Sequence, residues 1–127
     1  MKRICVFLCS ENTYLECIQM NLFGSEKPWP MAVHTEDICC LYHYGVKKLF
    51  ALWQAESDGA HGIVRSAWGG KFLFQVRVKL ISTEIFEIPP MIANEFMDAE
   101  HNDFEGIIEL GNTKNLDQLF SSFIKDV

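Results

Sequence analysis

The stretch Glu56–Leu80, ESDGAHGIVRSAWGGKFLFQVRVKL, has two unlike halves. The first reads as a loop, punctuated by Gly59, Gly62 and the pair Gly69-Gly70, and it carries one large aromatic, Trp68. The second reads as a strand over Phe72–Leu80. Phe72, Phe74, Val76, Val78 and Leu80 point one way, toward a core. Leu73, Gln75, Arg77 and Lys79 point the other way and make a wet, basic face. Alternation this long needs a sheet with one face on a core and one face in water.

The flanking segments extend that picture. Ile4–Cys9, ICVFLC, is a continuous apolar run and predicts a strand buried on both faces. Ser10-Glu11-Asn12 reads as a polar loop; Thr13 and Glu16 have capping-box spacing and place a helix start at Thr13. Tyr14, Ile18 and Leu22 mark the buried side of that helix, and Gly24 its stop. Ser25–Asp37 is a loop in which Pro28 and Pro30 stiffen the chain around Trp29. Ile38–Tyr44 and Leu49–Ser57, joined around Gly45, read as a hairpin. IFEIPP is extended, Met91–Glu100 a short helix and DFEGIIEL a further strand. A last helix is signed by Asn115 and Gln118 and by a stripe of Leu116, Leu119, Phe120, Phe123 and Ile124. Helices around several antiparallel-looking strands give an α+β domain. About five or six twisted strands curl into a small, partly open barrel.

At 127 residues and 49% apolar, the chain is expected to form one domain over residues 1–127. Its apolar runs are too short to span a bilayer, so no membrane partner is expected. Met1-Lys2-Arg3 ahead of ICVFLC lacks the long apolar centre and cleavage site of a signal peptide, which predicts a cytoplasmic chain. Cys5, Cys9, Cys17, Cys39 and Cys40 are odd in number and fit no disulfide framework; they read as buried free thiols. The net charge of −6 is uneven. Residues 45–83 hold six bases against two acids, whereas residues 84–127 hold two bases against ten acids. Indiscriminate coating of nucleic acid is excluded by that balance, but a local basic patch is not.

Little catalytic chemistry is legible. His34, His43, His61 and His101 have no metal-ligand spacing, and no metal or cofactor is expected. Cys9, ending the first strand before a helix, is the one candidate nucleophile, with no histidine to pair with it. The acidic last third singles out no dyad, so no catalytic residue is assigned. Aromatic rings remain. Trp29 and Trp68 fall in loops, Trp53 on a strand, and Phe23 at the end of the first helix. Each loop tryptophan reads as a lid on the core or as a stacking platform, where a base gains roughly 1–3 kcal/mol.

CSENTYLECIQMNLFG (Cys9–Gly24) with the long segment Cys39–Leu80 resembles the DCD (development and cell death) domain. Phe23-Gly24 matches the first half of that family's F-G-L-P motif, with Ser25-Glu26 in place of the second half. Cys40-Leu41-Tyr42 stands for L-F-L, Gln75-Val76 keeps the end of P-A-Q-V, and Leu119-Phe120 fits the terminal helix. The resemblance implies a PUA-like fold related to EVE and YTH domains, hence a non-enzymatic reader of modified or flipped bases in DNA or RNA. It also implies a pocket between the loop after the first strand, the end of the first helix and the loop before the basic strand. Carried over, the ligand-binding residues are Ser10, Asn12, Phe23 and Trp68, with Trp29 added on spacing. Arg65, Lys71, Arg77 and Lys79 would hold phosphates. Two rival readings stay open: a protein-interaction module of stress or cell-death type, and a small enzyme acting on nucleic-acid components through Cys9 and Glu11.

Overall fold

The computed structural model describes residues 3–96 and 105–109. One curled sheet dominates. Its strands are β1 (Arg3–Cys9), β2 (Leu22–Ser25), β3 (Ile38–His43), β4 (Lys48–Ala55), β5 (Ala60–His61), β6 (Phe74–Leu80), β7 (Phe86–Glu87) and β8 (Gly106–Glu109). The main path runs β2-β6-β4-β3-β1-β8, with β5 on β6 and β7 on β4. β1 is parallel to β3, and β3–β4 is the expected hairpin. Helix α1 (Glu11–Met20) follows β1, and α2 (Pro90–Phe96) follows β7. This is the expected α+β half-barrel. The predicted terminal helix over residues 115–124 lies outside the described residues.

β1 is buried on both sides, as its unbroken apolar run requires. Cys5, Phe7 and Cys9 enter the concave core with Phe23, Trp53, Val76 and Val78. Ile4 and Val6 enter a second cluster on the other face with Leu52, Ile88 and Ala93 of α2. Cys39 and Cys40 split the same way, one to each cluster. All five thiols are free and buried.

Three local expectations are corrected. Helix α1 starts earlier than Thr13, because Ser10 is itself the N-cap: its backbone N–H donates to Thr13 Oγ1 at 2.8 Å. The helix stops at Asn21, which takes the left-handed conformation (φ 49°), so Gly24 is freed to sit inside β2 opposite Gln75. Gln75, read as wet, is wholly buried. Its amide reaches beneath the glycine-rich loop: Oε1 accepts Val64 N–H at 2.8 Å, and Nε2 donates to Val64 O at 3.0 Å and Phe72 O at 2.9 Å. From Val76 to Lys79 the alternation holds, with Val76 and Val78 buried and Arg77 and Lys79 exposed.

The Gln75 clamp ties the loop between β5 and β6, which has no ladder beyond the two residues of β5, to the barrel. Replacing Gln75 by Leu keeps the bulk but strands Val64 N–H and C=O away from water. We expect Gln75→Leu to lower the unfolding free energy by about 2–4 kcal/mol, read from urea denaturation. An unchanged midpoint would show that the loop is held by other means.

Candidate functional site

Among the described residues the two ends of the sheet path, β2 and β8, are not paired by backbone. They are joined through Glu105, the residue before β8. Its Oε1 accepts from the Ser25 hydroxyl and, at 2.6 Å, from the Trp29 indole N–H. Lys27 Nζ stands 3.9 Å from the other carboxylate oxygen. Trp29 sits in a short 3-10 turn (Trp29–Ala32), its ring 4.5 Å from that of Phe7.

Above this seam opens a cleft of about 230 Å³. Its walls are the end of β1 (Leu8, Cys9), Thr13 of α1, the end of β2 with the residues after it (Gly24 to Lys27), Tyr44, Lys71, Phe72 and Glu105. The volume is that of roughly eight waters, at about 30 Å³ each, enough for one small planar group. Tyr44 is 55% exposed on the β3–β4 turn and gives the site an outward ring. Lys71 lies at the rim, its Nζ 3.6 Å from Glu26 and 5.4 Å from the centre of the Phe72 ring.

The large rings form the layer behind the cleft. Phe23 is wholly buried on β2, edge-on to Trp53 at 5.0 Å. Trp68 is 9% exposed. It belongs to a 3-10 turn (Ala67–Gly70) and has φ 50°, continued by Gly69 at φ 65° and Gly70 at φ 82°, values that suit glycine. That left-handed run folds the indole inward, where its N–H donates to Thr13 O at 3.3 Å. Glu16 of α1 secures the turn by accepting Trp68 backbone N–H at 2.6 Å. A Cβ at Gly24 would come within 2.8 Å of the Trp68 ring and 3.0 Å of Phe72 O, so the glycine lets strand and ring meet.

The other residues named from sequence are dispersed. Ser10 caps α1, and Asn12 is exposed on its first turn. Lys71 lines the cleft; Arg77 and Lys79 line a second groove, and Arg65 is exposed on the loop between β5 and β6. Ser25, Lys27, Tyr44, Phe72 and Glu105 line the cleft without having been singled out.

Cys9 and Glu11, the pair the enzymatic reading needs, are separated in character: Glu11 is exposed and Cys9 is buried. Burial, then the neighbouring Cys17, holds the Cys9 thiol well above the ordinary range, so it is not a thiolate near neutral pH. Burial also pushes Cys17 up to about 12, against an opposing hydrogen bond from Trp68. Cys40 is raised by burial as well. Among the described residues no group of three or more His, Cys, Asp or Glu could hold a metal ion, and no helix is long and apolar enough to cross a membrane.

These thiols bear on stability. The folded state keeps their protons to higher pH than the unfolded chain does. Stability is therefore fully present at neutral pH and is lost above about pH 8.5, by about 1.4 kcal/mol per pH unit for each of Cys9, Cys17 and Cys40. Urea midpoints at pH 7.5 and pH 10 should differ in that direction, and substituting Cys40→Ser should flatten the fall. A midpoint independent of pH would contradict the burial.

Comparison with solved structures places the fold. The YTH domain-containing protein mmi1, in complex with RNA, superposes with a TM-score of 0.68 at 14% identity, covering 94% of this chain and 83% of that one. A second Mmi1 YTH domain complex with RNA gives a TM-score of 0.68 at 15% identity, covering 99% and 85%. The architecture is thus that of a YTH-like small barrel. Residues 4–120 match the development and cell death domain, and the chain belongs to that family. No curated protein matches its sequence.

Proposed function

We propose that this chain is a non-enzymatic nucleic-acid-binding domain that seats one extruded base in the cleft at the β2–β8 seam. The observation that carries it is the composition of that cleft. Two rings, Tyr44 and Phe72, offer faces for stacking. Lys27 and Lys71 stand where a flanking phosphate would pass. Glu105 and Ser25 supply polar atoms at the floor to meet a base edge. Support comes from the fold, shared with two domains that are complexes with RNA.

Trp68 and Phe23 then act from behind, fixing Gly24 and Phe72, while Trp29 holds Glu105 in place. Ser10 and Asn12 belong to the adjoining helix start, Asn12 with its amide exposed one residue from the cleft-lining Thr13. Recognition of a modified base depends on what this shallow pocket admits beside Tyr44. Free thiols throughout suit a reducing, cytoplasmic setting. A protein-interaction role draws less support: Leu15, Met31, Tyr44, Val46 and Met91, the exposed large apolar residues among those described, fall on separate elements except for the Tyr44–Val46 turn.

Fluorescence anisotropy with labelled single-stranded RNA and DNA, with and without N6-methyladenine, at two salt concentrations tests this. We expect binding that weakens as salt rises. Tyr44→Ala should cost roughly 5- to 150-fold in affinity, the equivalent of about 1–3 kcal/mol of stacking. Absence of binding to every oligonucleotide at low salt would overturn the proposal.

A further inference from the structure

Arg77 and Lys79 do not face the cleft. They line a separate groove of about 300 Å³ on the outer side of β6, with Met20, Asn21, Glu56, Val78 and Leu80. Val76 and Val78 point into the core, so the two basic side chains share the solvent face. Neither cation has an ion-pair or hydrogen-bond partner among the described residues, unlike Lys71, which faces Glu26. The groove is pre-shaped. Asn21 is fixed as the left-handed cap of α1, and its carbonyl accepts Val78 N–H at 3.0 Å. On the other side Glu56 N–H donates to Arg77 O at 2.7 Å, and Arg77 N–H donates to Ser57 Oγ at 3.0 Å. Glu56 is the one acid of the groove; its carboxylate makes no ion pair with the Arg77 guanidinium, so the two bases leave the groove a net positive charge in a protein of net charge −6.

We propose that this groove is a second contact site, for the phosphodiester backbone of a single-stranded nucleic acid whose base occupies the cleft. This rests on the base-cleft reading and adds a direction to it. Gly24, in the cleft, pairs with Gln75, and Arg77 and Lys79 lie two and four residues further along β6. At about 3.3 Å per residue they stand about 7 and 13 Å along the strand from the cleft. A nucleic-acid strand running parallel to β6 therefore meets the cleft first and the two cations next. Two contacts without base readout fix position and register, not sequence. They also explain how an acidic domain gains affinity: two exposed cations lie together in one groove with a single acid.

The test uses a fluorescein-labelled single-stranded RNA dodecamer and a dinucleotide, which has one internal phosphate. Arg77→Ala and Lys79→Ala should each weaken dodecamer binding about 3- to 10-fold at low salt and reduce the slope of log affinity against log salt by about 0.7. Dinucleotide binding should be unmoved by either. Glu56→Gln should strengthen dodecamer binding, a gain that simple loss of folding cannot mimic. If Tyr44→Ala weakens the dodecamer while Arg77→Ala and Lys79→Ala do not, the groove is overturned and the cleft stands. If the wild-type protein fails to bind the dodecamer, both fall.

Discussion

Among the described residues the curled sheet ends in two strands with no backbone ladder between them, β2 and β8, and both are drawn to one carboxylate. Glu105 takes hydrogen bonds from Ser25 on the β2 side and from Trp29 on the turn that follows it. A largely buried carboxylate needs hydrogen-bond donors of this kind to replace the water it has lost. The arrangement closes the bottom of the seam and leaves the top open. Everything proposed for this domain uses that opening: a full backbone ladder between β2 and β8 would have abolished the cleft along with the edges.

The layers behind the seam account for its rigidity. Trp68 is pinned by Glu16 at its backbone and by Thr13 at its indole, so α1 and the glycine-rich turn are tied together. Gln75 does the same for Val64 and Phe72 from the barrel side. The large aromatics thus serve as packing that positions Gly24 and Phe72. Smaller, outward groups, Tyr44, Lys71 and Lys27, are left to meet a ligand. That division reconciles an acidic chain with a polyanionic partner, since the cations are few and are held beside concave surfaces.

The strands were legible from sequence because their signals are strong. ICVFLC is consistent with a strand buried on both faces, which β1 is, and the alternation from Val76 to Lys79 showed which side of that part of β6 faces water. The resemblance to the DCD domain named the family that the match over residues 4–120 supports. Helix ends were less legible: Ser10 and Thr13 are both good caps, and spacing alone does not rank them. Gln75 misled because an amide on an alternating strand looks wet unless the loop it clamps is in view. The direction of the tryptophan rings was illegible, since it depends on a left-handed turn at Trp68, a residue type that rarely adopts one. Glu105 lay hidden among the ten acids of the last third. Nothing local distinguishes a carboxylate that joins two strands from one that is merely solvated.

The central claim is that a base enters at the β2–β8 seam. Amide chemical-shift mapping during titration with a single-stranded oligonucleotide tests it most directly. The account predicts that the largest shifts fall on Gly24 to Lys27, Tyr44, Lys71 and Phe72, with the Trp29 indole N–H responding as Glu105 adjusts. Shifts confined to α2 and the convex cluster around Leu52 and Ile88, with the seam residues still, would contradict it.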